Sequence, residues 1–118
     1  MFDIKTKIWL EKDGELIFGA GKTSILKAVD ETGSINKAAK KLGMSYRHAW
    51  SYIRSIENRL GITLVIKSKG GQNGGGAALT EQARDLVERF ETLDKKIKDF
   101  SNKCYSRIFT GSRYGSDR

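Results

Sequence analysis

A mainly helical α+β fold is predicted by three patterns that follow one another along the 118 residues. The chain opens with alternating residues on either side of an Asp-Gly turn. Three stretches with helical apolar spacing follow, the last two separated by a tight break at Gly43-Met44-Ser45. A strand, a glycine-rich loop and a second strand then lead into a long repeat of apolar residues at spacings of three and four. In that order they describe a winged helix-turn-helix with an N-terminal β-hairpin and a long C-terminal dimerisation helix.

The hairpin is expected from Ile4 to Phe18, because Ile4, Ile8 and Leu10 alternate with polar residues and Asp13-Gly14 precedes Glu15-Leu16-Ile17-Phe18. Beyond Gly19-Ala20-Gly21, Ile25, Leu26 and Val29 take helical spacing, and Gly33 offers the left-handed conformation that ends a helix. Ser34 is placed to cap a short second helix with Ile35, Ala38, Ala39 and Leu42 on one stripe, ending at Gly43. Ser45 is placed to cap a third, whose apolar stripe is Ala49, Ile53, Ile56 and Leu60. The β-branched run Ile62-Thr63-Leu64-Val65-Ile66 reads as a strand, residues 67–76 as a basic, glycine-rich loop, and Ala77-Ala78-Leu79 as the returning strand. Thr80 caps the last helix, where Ala83, Leu86, Phe90, Leu93, Ile97, Phe100 and Cys104 form a heptad seam. Residues 1–109 are thus expected to form one domain with its dimerisation helix over 80–109, and residues 110–118 a disordered tail.

Composition narrows the function. One cysteine and one histidine supply neither a disulfide nor a metal set, and with no cluster of carboxylates there are no parts for acid-base or nucleophilic catalysis, so neither a metal, a cofactor nor an enzyme is expected. No run approaches the roughly 18 apolar residues of a membrane span, and the N-terminus is unlike a signal peptide, so a cytoplasmic protein without a membrane partner is expected. Gly19-Ala20-Gly21-Lys22-Thr23 imitates the end of a phosphate-binding P-loop, but the glycine that pattern needs is Leu16 here.

The net charge of +8 is unevenly distributed. Residues 1–33 sum to −1 and residues 80–104 are balanced, whereas residues 34–72 carry eight Lys or Arg against the single acid Glu57. One-signed charge over such a stretch calls for a polyanionic partner, nucleic acid above all. On the third helix Arg47, Ser51, Arg54 and Asn58 fall opposite the apolar stripe, with two arginines suited to the paired acceptors of a guanine edge. Tyr46 and Trp50 lie at the edge of that stripe. Trp50 is expected in the core and His48 on the plain surface.

The stretches Ile25 to Ile35 and Ala38 to Trp50, with the Met44-Ser45-Tyr46-Arg47 turn and the glycine-rich run Gly70 to Gly76 before Leu79-Thr80, resemble the N-terminal domain of ModE-type molybdate-responsive transcriptional regulators. More distantly they are similar to the LysR-type winged helix. The resemblance implies a dimer on a palindromic DNA operator, with contacts from Ser45, Tyr46 and Arg47 on the recognition helix and from Lys67, Ser68, Lys69, Gln72 and Asn73 on the wing. With Ser34 and Lys37 of the second helix and Ser51 and Arg54 of the third, these are the candidate DNA-binding residues. Leu86, Phe90, Leu93, Ile97 and Phe100 are the candidate dimer interface. The oxyanion-binding domains of the full-length family pattern do not follow the last helix, so DNA affinity indifferent to molybdate is expected. The rival from another class is a protein-interaction module that uses the seam without binding DNA specifically.

Overall fold

The computed structural model describes residues 2–68 and 76–111. Its elements are β1 (Trp9–Lys12), β2 (Glu15–Gly19), α1 (Ala20–Thr32), α2 (Ile35–Lys41), α3 (Tyr46–Leu60), β3 (Val65–Ser68), β4 (Gly76–Leu79) and α4 (Glu81–Phe109). The fold is the mainly helical winged helix-turn-helix expected, with two separate antiparallel hairpins, β1-β2 and β3-β4. The chain divides into two compact units, Trp9–Glu88 and the segments on either side of it.

In Trp9–Glu88, α1 is the hub and packs against α2, α3, β2 and β4. Phe18, Ile25, Leu26, Val29, Ile53, Ile56 and Leu64 are the largest fully buried side chains. Each such residue contributes about 1.5–3 kcal/mol on burial, so this cluster holds the two helices of the helix-turn-helix in place. The helix ends follow the capping expectations. Ser34 Oγ accepts from Lys37 N at 3.1 Å, Ser45 Oγ from His48 N at 3.0 Å and Thr80 Oγ1 from Ala83 N at 3.1 Å. Gly33 stops α1 with a φ of 72°.

Three boundaries differ from the sequence expectation. The first strand covers only Trp9–Lys12, because its partner ends at Gly19, which is already the N-cap of α1, and residues before Trp9 have no strand to pair with. Burial in this hairpin comes from Ile17 and Phe18, while all of β1 is exposed. The wing strand starts at Val65 rather than Ile62. The backbone just before it is satisfied otherwise, Glu57 Oε2 accepting from Leu64 N at 2.8 Å and Thr63 O from the Thr80 hydroxyl at 2.8 Å. Of the expected tail, Thr110 and Gly111 form a turn closing α4, with Thr110 Oγ1 donating to Ser106 O, and residues 112–118 lie outside the described residues.

In the other unit the Phe2 amide donates to Tyr105 Oη at 3.2 Å, and the Phe2 and Phe109 rings meet edge to face at 5.9 Å. Tyr105 stacks on Phe109 at 4.9 Å, which ties the N-terminal segment to the last turns of α4.

Candidate nucleic-acid interface

The α3 helix buries one side and offers the other. Ala49, Ile53 and Ile56 are at most 1% exposed, whereas Arg47, Ser51, Arg54 and Asn58 all face solvent. Arg47 meets no carboxylate among the described residues. Arg54 reaches toward Glu57 at only 3.9 Å and keeps more than half its side chain exposed, so its charge remains available.

Ion pairing sorts the basic segment in a way composition does not reveal. Lys41 is taken by Glu31 at 2.5 Å and Arg59 by Glu15 at 2.5 Å. Lys37 and Lys40 on α2 remain exposed, and Ser34 beside them has its oxygen engaged as the helix cap. A cleft of about 560 Å³ opens between the head of α2, the first turn of α3 and the wing strands. Lys37, Lys40 and Lys67 line it with Ser34, Asn36, Tyr46, Ser68 and Gly76, and among the described residues no carboxylate does. Three ammonium groups around one hollow attract an anion.

The wing is anchored at its base by contacts from three directions. Ala77 N donates to Gly33 O at 2.8 Å, which ties β4 to the α1-α2 turn. Glu57, the lone acid of the basic segment, spends its carboxylate on Leu64 N at 2.8 Å and Val65 N at 3.3 Å, which ties the start of β3 to α3. Lys67 Nζ lies 2.9 Å from Tyr46 Oη and 5.1 Å from the centroid of the Trp50 ring. Lys69, Gln72 and Asn73 lie outside the described residues, while Ser68 Oγ accepts from Gly76 N at 3.1 Å across the hairpin.

Trp50 is therefore not the core residue expected. It is half-buried, with Lys67 over one part of its ring and the Arg54 guanidinium 5.7 Å from its centroid. An indole face attracts cations, and the wing brings one to it. His48 is exposed, as expected, and packs edge to face on Tyr52 at 4.7 Å. Glu57, which bonds the start of the wing, and Lys40, which lines the cleft, are not among the residues singled out from the sequence. Glu57 alone left a signal, since a single acid among eight bases needs a reason to be there. Behind the interface, Lys22 donates to Ser55 Oγ at 3.0 Å, and burial followed by the nearby Arg59 charge holds its ammonium below the usual lysine range.

On α4 the expected seam splits. Phe90 is only 4% exposed in the single chain, so its ring is already used and cannot be offered to a second copy. Leu86 and Ile97 are half-buried, whereas Leu93 is 41% and Phe100 66% exposed. Ile108, further along the helix, is 75% exposed. Between them Lys95 pairs with Asp99 at 2.8 Å and Lys98 with Asp94.

A family described as bacterial regulatory helix-turn-helix protein, lysR family, matches residues 22–84, just over half of the chain. The chain belongs to this lysR family. The matched stretch runs from the first turn of α1 through the wing into α4, and so contains every element that lines the cleft. Among curated proteins, the chain is 35% identical over 88 residues to the molybdenum-pterin-binding protein MopB of Rhodobacter capsulatus, covering 75% of this chain and 32% of that protein. It is 33% identical to the molybdenum transport protein ModE of Azotobacter vinelandii over 71% of this chain and 31% of the relative. To the DNA-binding transcriptional dual regulator ModE of Escherichia coli it is 36% identical, over 61% and 28% respectively. The chain spans about a third of the length of these relatives. Solved lysR-type structures share the fold. The BenM DNA-binding domain in complex with catB site 1 DNA superposes with a TM-score of 0.53 at 24% identity, covering 79% of this chain and 97% of that one. Full-length LysG from Corynebacterium glutamicum gives 0.53 at 18%, covering 74% and 28%.

Proposed function

We propose that the chain is the DNA-binding part of a transcriptional regulator of the ModE-like branch of the lysR family, acting in the cytoplasm as a homodimer on a roughly palindromic duplex site. The observation that carries this reading is the pair of exposed arginines Arg47 and Arg54 on α3 together with the cleft lined by Lys37, Lys40 and Lys67, where no carboxylate stands among the described residues. Arg47, Ser51 and Arg54 read base edges from the exposed face of α3, and the lysines around the cleft hold phosphates, which fix register without selecting sequence. The name of the Escherichia coli relative and the DNA-bound BenM domain support DNA binding as such. The exposed Leu93 and Phe100 supply the apolar contact through which two copies present their α3 helices to successive turns of the duplex.

Selection of duplexes from a random pool is the direct test. A single enriched motif with internal two-fold symmetry is the expected result. Uniform, weak binding to all duplexes overturns the specific-regulator reading and leaves an interaction module built on α4.

A further inference from the structure

We infer that Tyr46 is a phosphate-binding residue and that Lys67 is the residue that positions and polarises its hydroxyl. This rests on the DNA-binding reading above and assigns the chemistry of one pair within it.

Lys67 Nζ is 2.9 Å from Tyr46 Oη. An ammonium has three donors and no acceptor, so the phenol oxygen accepts and the phenol's own proton is left over. That proton has no acceptor among the described residues. The ammonium also lies 5.1 Å from the Trp50 ring centroid, whereas its 5.7 Å from the Tyr46 centroid puts it beyond the hydroxyl, in line with the C–O bond and off that ring's face. Tyr46 and Trp50 stand one turn apart on α3, so the Tyr46 hydroxyl and the Trp50 ring together hold the lysine before any ligand arrives. A cation donating to the phenol oxygen makes its remaining O–H a stronger donor, as chains of hydrogen bonds polarise one another.

The direction of that donor follows from the surroundings. Tyr46 lines the cleft with Lys37 and Lys40, which no carboxylate among the described residues enters, and its stripe on α3 is offset from the Arg47, Ser51 and Arg54 stripe. A strengthened donor in a hollow ringed by ammonium groups suits an anionic oxygen, and the anionic oxygens of duplex DNA are its phosphates. Tyr46 therefore fixes the register of the wing and recognition helix on the backbone, and the bases are left to the other stripe.

The test compares the wild type with Tyr46→Phe, Lys67→Met, Lys67→Arg and the Tyr46→Phe/Lys67→Met double variant. Affinities are measured on the selected duplex, on unrelated duplexes, and on copies of the selected duplex in which single phosphates are replaced by neutral methylphosphonates. Tyr46→Phe keeps the ring's packing and leaves the Trp50 ring to hold Lys67, and its melting temperature is expected to match the wild type. It is expected to weaken binding to all duplexes alike by about tenfold, the loss of one hydrogen bond to a charged group, with the enriched motif unchanged. One methylphosphonate position is expected to weaken the wild type and leave Tyr46→Phe untouched. In the Lys67→Met background, Tyr46→Phe is expected to have a smaller effect than alone, and Lys67→Arg to preserve the full effect. A changed base preference in Tyr46→Phe overturns the inference in favour of base reading. Equal methylphosphonate profiles for wild type and Tyr46→Phe, or additive losses in the double variant, overturn it as well. A wild type without a motif or any duplex affinity defeats the DNA-binding reading itself and the inference with it.

Discussion

The α3 and α4 helices are both amphipathic, yet their two faces are used in opposite ways. On α3 the apolar side is consumed inside the chain, and what remains outside is charge of one sign with few partners. On α4 beyond Phe90, Lys95 and Lys98 are paired with Asp99 and Asp94 along the helix, and the exposed side chains include the large apolar Leu93, Phe100 and Ile108. The unspent property of each helix indicates its partner. Unpaired cations on a packed helix suit a polyanion, and large apolar side chains exposed on a helix of mixed charge suit a second apolar surface.

The largest effect that would break this comparison is on α4. The Leu93→Asp/Phe100→Asp double variant is expected to convert a dimer to a monomer in analytical ultracentrifugation, since two large side chains together forgo about 3–6 kcal/mol of burial. A dimer that survives the double substitution removes this face from the interface. Phe90 is unsuited to the experiment, because a charge there disrupts a residue buried within the single chain.

Next in size is the join between α3 and the wing. Glu57→Ala leaves Leu64 N and Val65 N without their acceptor and is expected to lower stability by about 1.5–3 kcal/mol in chemical denaturation. An unchanged unfolding midpoint would mean that water replaces the carboxylate at no cost.

On the exposed face of α3, Arg47→Ala is expected to cost about 1–3 kcal/mol on the preferred duplex and to relax selection at one base pair. Lys40→Ala should instead weaken all duplexes alike and reduce the salt dependence of log K by about 0.9, one phosphate contact. Equal losses across sequences for Arg47→Ala would move that arginine to the backbone-contacting class.

The smallest effect concerns Lys41, the lysine of α2 that is already paired. Its hydrogen bond and then its charge lower the pKa of Glu31. The folded value lies below the unfolded one, so the pair's stabilisation is present above the ordinary carboxylate range and fades as pH falls through the folded value. Both side chains are more than half exposed, so salt screens the pair. Glu31→Gln is expected to leave the melting temperature at neutral pH nearly unchanged, to flatten its decline on acidification slightly, and to raise DNA affinity at low salt by about twofold or less as Lys41 is released. Lower affinity would show that the pair orients α2 rather than withholding a cation.

The sequence by itself determined the order of elements, the caps at Ser34, Ser45 and Thr80, the stop at Gly33, the division of α3 into an apolar and a cationic side, and the run of apolar residues on α4. Each of these depends on residues within a turn or two of one another, where spacing and side-chain chemistry act directly on the local backbone. The tertiary structure decided which charges are spent and which are free. Lys41 meets Glu31 ten residues away, and Lys67 reaches Tyr46 across 21. It also turned Glu57 from an odd acid in a basic stretch into the clamp of the wing, moved Trp50 from the expected core to the platform under Lys67, and withdrew Phe90 from the seam. Those outcomes depend on the distance and angle at which separate elements pack, and a periodic pattern fixes the face that a helix buries but not the neighbour that meets its edge.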